Sequence, residues 1–260
     1  MLTDARQKMI EAIAMRDGEV IISRVAKELN VSIETIRRDI NALCARNILT
    51  KVHGGAVPVN LPIAEASYNQ RKNTNSKLKN KLGQYAADKI QNNQVVALST
   101  GSTIEAVAMH INGVQHITAI TNSIPISEIL CESNGRNGFN GKVILLGGRV
   151  NLTEHLTYGP AVNEQADRYY ADILFVSAGA VNETGLMSTG PDEGAVSTKM
   201  IACAGKKVLV IESKKLSKRS VYRFATLEDI DMVITDDTHE INAELYKAFT
   251  TAGIEVHIVK

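Results

Sequence analysis

The sequence predicts an α/β chain of two parts: an N-terminal winged helix-turn-helix domain followed by a Rossmann-like, mostly parallel α/β domain. Three observations predict it. Apolar residues recur at helical spacing between Met9 and Leu43, interrupted by turn residues at 17–18 and 30–31. Two prolines in five residues, Pro58 and Pro62, then disfavour helix and extend the chain. From Val95 to Val259, short β-prone apolar runs alternate with helical segments, the pattern of a parallel sheet covered on both faces. The expected boundaries are 1–57 for the small domain, 58–75 for a linker and 76–260 for the α/β domain. A length of 260 residues, with 44% hydrophobic content, is enough for two cores.

The first helix is expected to run about three turns, because Met9, Ile10, Ile13 and Ala14 form an apolar stripe. Asp17-Gly18 ends it, since glycine tolerates the left-handed C-terminal conformation. Ile21-Ile22 reads as a short apolar link. Ser23 is placed to cap a second helix through Val25, Ala26 and Leu29, and Asn30-Val31 makes a tight turn. Ser32 caps a third helix, whose Ile36, Ile40 and Leu43 at i, i+4 and i+7 line one buried face. Thr35, Arg37 and Arg38 fall largely off that stripe. Two short helices, a tight turn and a third helix form a helix-turn-helix, whose last helix enters the major groove of DNA. An exposed Arg-Arg pair beside a polar helix start suits phosphates and base edges.

Past that helix, Ile48, Thr50 and Val52 are β-prone and Gly54-Gly55 is a turn signal, so a small hairpin, the wing, is expected. Lys51 and His53 sit where a wing meets a phosphate backbone. The expected contacts to double-stranded operator DNA are therefore Ser32, Thr35, Arg37, Arg38, Lys51 and His53.

Charge is unevenly placed. Residues 1–57 carry nine Lys and Arg against seven Asp and Glu, residues 58–82 five against one, and residues 83–260 fifteen against twenty. A basic N-terminal third on an acidic body fits a DNA-facing end. The first residues show no signal-peptide pattern, and no stretch approaches the ~20 apolar residues of a membrane span, so a cytoplasmic protein with no membrane partner is expected. Cys44, Cys131 and Cys203 are isolated from one another and from histidines at ligand spacing. They read as reduced core thiols, and neither a metal nor a cofactor is expected.

In the second part, strands are expected at Val95–Leu98, Ile117–Ile120, Val143–Leu146, Ile173–Val176, Val208–Ile211, Met232–Ile234 and Val256–Val259. Helices are expected at 103–112, 124–132, 192–204 and 240–252. Ligands of such sheets bind outside the carboxyl ends of the strands, and four of these ends are polar. Thr100-Gly101-Ser102-Thr103 joins a strand to a helix, with small residues that let backbone N–H groups approach a phosphate and hydroxyls that add donors. Thr121-Asn122-Ser123 joins the next pair. Gly147-Gly148-Arg149 follows, with Tyr158-Gly159-Pro160 beyond it, and Glu212-Ser213-Lys214-Lys215 places Lys214 to meet an anion. Neither a G-x-G-x-x-G nor a Walker lysine is present, which argues against a dinucleotide or ATP. Four polar strand ends point to a polyhydroxylated anion.

The residues together resemble the DeoR family of bacterial transcriptional regulators. In the small domain the match is Val25-Ala26 with Leu29, Val31-Ser32, Thr35-Ile36-Arg37-Arg38-Asp39 and His53-Gly54-Gly55-Ala56. Cys44-Ala45 departs from the Leu-Glu that members often carry. Arg71 and Lys77 look like the Arg and Lys that open the family's effector domain. The rest of the match is Thr100-Gly101-Ser102-Thr103, Thr121-Asn122-Ser123, Leu146-Gly147-Gly148, Gly159-Pro160, Gly185-Leu186 with Glu193 and Lys199, and Ser213-Lys214. The resemblance implies an effector domain similar in fold to ribose 5-phosphate isomerase and a sugar phosphate as its ligand. That isomerase family places catalytic aspartates just after the strand corresponding to Ile173–Val176. Here the segment is Ser177-Ala178-Gly179-Ala180-Val181-Asn182, without a carboxylate. An aldose-ketose isomerase needs a base at the proton it abstracts, so binding without turnover is expected. A surviving Glu193 and Lys199 could equally form a surface pair on their helix.

The expectation is thus a homo-oligomeric transcriptional regulator, a repressor of carbohydrate genes, that binds operator DNA and a phosphorylated sugar. The ligand contacts expected are Thr100, Gly101, Ser102, Thr103, Thr121, Asn122, Ser123 and Lys214. The competing reading is a sugar-phosphate isomerase or hydrolase carrying a DNA-binding domain.

Overall fold

A computed structural model describes residues 3–17, 20–46, 48–52, 54–58, 68–134, 138–239 and 241–260. The chain divides into two compact units, Met1–Ala64 and Glu65–Lys260. Among the described residues no helix is long and apolar enough to cross a membrane.

The first unit holds α1 (Thr3–Asp17), β1 (Val20–Ile21), α2 (Ile22–Glu28), α3 (Ile33–Ala45), β2 (Leu49–Val52) and β3 (Gly55–Pro58). Its core is Ile10, Ile13, Ala14, Val25, Ala26, Ile36, Ile40, Leu43 and Leu49. The expected stripes therefore stand, except that Met9 is exposed. Ser32 accepts from the Thr35 N–H at 3.1 Å and starts α3 as expected. Ser23 does not cap α2, which begins one residue earlier at Ile22 and has no side-chain cap. The reason is that Ile21, read as a link, pairs with Gly55 of the wing, so the helix starts directly from a strand. Asn30 takes a left-handed φ of 51°, which allows the tight turn between α2 and α3. β2 and β3 form the expected antiparallel hairpin, with β1 added to its edge.

The second unit begins with α4 (Tyr68–Asn73), in the stretch read as linker, and α5 (Ser76–Ala87). There follow β4 (Val95–Leu98), α6 (Ser102–Met109), β5 (Ile117–Thr121), α7 (Ile124–Ser133) and β6 (Gly141–Leu145). A hairpin, β7 (Arg149–Asn151) and β8 (Leu156–Tyr158), leads to α8 (Pro160–Ala166) and β9 (Ala171–Val176). Then come β10 (Ala180–Asn182), β11 (Gly185–Ser188), α9 (Pro191–Ala202), β12 (Ala204–Val210), β13 (Tyr222–Ala225), β14 (Met232–Thr235), α10 (Ala243–Thr251) and β15 (Glu255–Ile258).

The main sheet has the order β15-β14-β12-β9-β4-β5-β6, with every pairing parallel. All seven expected strands are in it. Successive strand residues face opposite sides. Val96, Leu98, Ile173 and Phe175 pack with α5, α6 and α7 residues such as Leu82, Ile104 and Ile126. Ala97, Leu174 and Val176 pack on the other face with Val162, Val196 and Phe249 of α8, α9 and α10. Burial on both faces explains the unbroken apolar runs of the strands. The short strands β7, β8, β10, β11 and β13 lie outside the main sheet and were not expected. Of the thiols, Cys131 is exposed and Cys44 and Cys203 are half-buried, so Cys131 is not a core thiol.

Strand order rises outward from β4 on one side and from β9 on the other. The adjacent carboxyl ends of β4 and β9 therefore form the switch point at which open α/β sheets leave a crevice.

Candidate functional site

In the first unit, α3 projects its polar face where the sequence places it. The Ser32 and Thr35 hydroxyls lie 2.8 Å apart, the pair closing the first turn. Arg37 and Arg38 are exposed, Arg37 standing 3.6 Å from Glu34 in a loose i, i+3 pair. Such an exposed pair holds little energy, so Arg37 can exchange Glu34 for phosphate at little cost. Arg37 and Lys51 line one groove of about 410 Å3 between α3 and the wing, together with Glu34, Asn41, Gly54 and Gly55. His53 lies outside the described residues. Asn41, one turn beyond Arg37, is an exposed groove residue that the sequence reading missed; the i+4 spacing was its signal.

Asp39, next to the arginine pair, has a different task. It is buried, and both its oxygens are held from α1: Arg6 Nε donates to Oδ2, and Arg6 Nη2 and Gln7 Nε2 donate to Oδ1 at 3.3 Å each. The hydrogen bond to Asp39 raises the Arg6 pKa further above its ordinary value. This clamp sets α3 against α1 and so aims the arginines.

In the second unit, the cleft forms at the switch point. Thr100, Gly101, Ser102 and Thr103 line it from the end of β4, and Ser177, Ala178 and Gly179 from the end of β9. Gly101 is the N-cap of α6 with φ +105° and ψ 154°, a backbone state that side chains disfavour. A Cβ there would meet nothing within 4 Å, so conformation rather than space selects glycine. The Thr100 hydroxyl donates to Glu193 Oε1 at 2.8 Å, which brings α9 to the cleft.

Two cations line the same cleft, Lys215 and Arg71. Lys215 Nζ donates to the Ala178 carbonyl at 3.0 Å, and Arg71 pairs with Glu154. The space left between these groups is about 20 Å3, roughly what one water needs.

The other expected ligand residues stand elsewhere. Thr121, Asn122 and Ser123 are buried and committed internally. Thr121 Oγ1 accepts from the Ser123 N–H at 3.0 Å, Asn122 donates to the Thr157 carbonyl at 2.9 Å, and Ser123 caps α7. Gly147 exchanges hydrogen bonds with Gln165 at 3.1 and 2.7 Å, an anchor for α8. Lys214 is half exposed and pairs with Glu212 at 3.1 Å, so Lys215 replaces it as the cleft cation. The short 3-10 turn Ser213–Lys215 rotates the second lysine inward, a choice between neighbours that spacing cannot make.

Lys77 is exposed, and the lysine that organises the start of this unit is Lys79. Its Nζ donates to the carbonyls of Arg71 and, at 2.8 Å, Thr74, and lies 3.7 Å from buried Glu212. Burial lowers the Lys79 pKa against the pull of Glu212. Burial also works to raise the Glu212 pKa, but the Asn75 hydrogen bond, Lys214 and Lys79 together bring it below its usual value. Glu193 and Lys199 do not pair with each other. Lys199 meets Asp167 at 2.9 Å, whereas Glu193 turns to the cleft.

Comparison with known proteins agrees with this division. Residues 6–60 match the DeoR-like helix-turn-helix domain, and residues 74–237 match the DeoR C-terminal sensor domain. The chain is 30% identical to the HTH-type transcriptional repressor GlcR of Bacillus subtilis, over 91% of this chain and 89% of that protein. It is 31% identical to the HTH-type transcriptional regulator GlpR of Haloferax volcanii, over 97% and 96%. It is 27% identical to the lactose phosphotransferase system repressor of Streptococcus mutans, over 91% and 93%. Among solved structures, ribose 5-phosphate isomerase A of Methanocaldococcus jannaschii aligns with a TM-score of 0.39 and 20% identity, covering 56% of each chain.

Proposed function

The chain belongs to the DeoR family of transcriptional regulators, and from that premise we propose that it represses carbohydrate transport or catabolism genes under control of a phosphorylated sugar. Ser32, Thr35, Arg37, Arg38 and Lys51 engage double-stranded operator DNA, and His53, outside the described residues, is included on the sequence pattern alone. The observation that carries the ligand assignment is the Gly101 cap. Gly101, Ser102 and Thr103 line the cleft at the start of α6, at the switch point, with Lys215 and Arg71 lining the same cleft. Helix N-termini of this kind favour a phosphate dianion. Glu193 is the carboxylate among the lining residues and is suited to accept from a sugar hydroxyl.

The same cleft supports a binding role over an isomerase or hydrolase. The segment after β9 contributes Ser177, Ala178 and Gly179, none of which is a base, and the one carboxylate among the described lining residues, Glu193, already accepts from the Thr100 hydroxyl. The ligand must bind the DNA-competent and DNA-incompetent forms unequally, or occupancy would shift nothing.

Calorimetry against a panel of sugar phosphates, read alongside operator affinity, tests the proposal. At least one phosphorylated sugar is expected to bind and change DNA affinity, its unphosphorylated parent far more weakly. Gly101→Asp sets a carboxylate where the phosphate would sit, so DNA binding is retained and the response lost. Binding confined to neutral sugars, or a full response from Gly101→Asp, rules out the phosphate assignment. Turnover of any panel member favours the enzyme reading.

A further inference from the structure

α4 is the first described element of the sensor unit, and Arg71, near its end, lines the cleft. Its main chain is fastened to the body. The carbonyls of Arg71 and, just beyond the helix, Thr74 accept from buried Lys79, and the side-chain Nδ2 of Asn75, a residue at a left-handed φ of 54°, donates to Glu212 Oε2 at 2.7 Å. Two more of its side chains are held too. Tyr68 stacks on His155 with ring centroids 4.7 Å apart, and Lys72 Nζ lies 4.0 Å from buried Glu105. The Arg71 guanidinium pairs with Glu154, which sits in the turn between β7 and β8 with its N–H bonded to Asn151 Oδ1 at 3.0 Å. Glu154 is about a quarter exposed, so water can replace its partner.

Arginine's forked donors match carboxylate and phosphate alike, and a phosphate dianion is the stronger claimant. With about 20 Å3 between the lining groups, a phosphate that seats deep among them displaces contacts that they already make. Resting on the phosphorylated-ligand reading above, we propose that Arg71 binds the ligand's phosphate and that Glu154 competes for it. Occupancy is then registered as loss of the ion pair between α4 and the β7–β8 turn. α4 is the described element of the sensor unit nearest in sequence to the helix-turn-helix unit, so the pair would register occupancy at the start of the sensor unit.

The test uses the full chain in calorimetry with inorganic phosphate and with the tightest-binding sugar phosphate of the panel. Arg71→Gln is expected to weaken binding by roughly tenfold or more, the loss of a charge-assisted hydrogen bond. Glu154→Gln removes the competitor's charge and is expected to tighten binding several-fold. That gain should vanish when Glu154→Gln is made in the Arg71→Gln background. Without any phosphate compound, Glu154→Gln should also move operator affinity in the direction that the sugar phosphate moves the wild type. If Arg71→Gln does not fold, Arg71→Lys, which keeps charge without the fork, takes its place in the cycle with a smaller loss.

Equal or weaker binding by Glu154→Gln overturns the competition, as does a gain that persists undiminished without the arginine, since plain charge repulsion would do that. A wild type that binds no phosphate compound overturns the ligand assignment and this proposal with it. A wild type that binds while the cycle shows no coupling overturns only this one.

Discussion

Glu105 is the residue whose chemistry is least typical of its surroundings. It lies in the middle of α6, 1% exposed, and among the described residues neither carboxylate oxygen has a hydrogen-bond partner. Burial raises its pKa above the ordinary 4.5, opposed by the neighbouring Tyr68 hydroxyl and by Lys72. The folded protein therefore holds the Glu105 proton more tightly than the unfolded chain does. Stability from this group is fully present below the ordinary value and is lost as pH rises through the higher folded value. Glu105→Gln is neutral at every pH. It is expected to melt above the wild type at neutral pH, the difference shrinking toward pH 4.5. Thermal melts between about pH 4 and pH 8 check this; a wild type that is the more stable at neutral pH would contradict it.

One helix shows how an element divides its work between faces. α3 buries Ile36, Ile40 and Leu43 and exposes Arg37 and Arg38. Ile36→Ala is expected to cost the small unit about 2–5 kcal/mol, through lost contacts and the cavity left behind. Arg37→Ala should leave the melting temperature unchanged and weaken operator binding by about 1–3 kcal/mol if its contact is a bidentate base pairing. Melts and DNA titrations at fixed salt separate the two; a matching loss of stability in both would put the recognition face on the wrong side.

In the second unit, α5 and α6 approach so closely that a Cβ at Gly83 would lie 2.4 Å from the Ala106 carbonyl carbon. Backbone cannot give way as a flexible side chain does, so Gly83→Val must push α5 off α6 and displace the Gly101 cap at the head of α6. Overpacking of this kind costs typically about 1–3 kcal/mol. Lower stability with a weakened sugar-phosphate response is expected, and an unchanged response in a folded variant would uncouple the helix pair from the cleft.

For the whole molecule, a single helix-turn-helix covers one short half-site, and regulators of this kind pair two. We expect a symmetric oligomer that protects pseudo-palindromic half-sites separated by whole helical turns. Footprinting together with sedimentation decides it, a monomer protecting one short site being the contrary outcome. Operator affinity should fall steeply with salt if, as proposed, Arg37, Arg38 and Lys51 act in part on phosphates.

What the sequence determined by itself is what depends on local pattern. Helical spacing marked Ile36, Ile40 and Leu43, Ser32 announced a helix start, and β-rich runs located all seven strands of the main sheet, because periodicity and capping act within a few residues. The Thr100–Thr103 turn was legible for the same reason. Tertiary structure decided which strand ends meet. Strand order set the β4 end beside that of β9, and left Thr121, Asn122 and Ser123 to internal hydrogen bonds. It chose Lys215 over Lys214 and Lys79 over Lys77, and it brought Glu193, 93 residues away in the chain, to Thr100. It also bound Asp39 to Arg6 across the small unit. Such choices rest on pairings between distant segments, which no local spacing encodes: a lysine and its neighbour look alike until the fold turns one toward a partner and the other toward water.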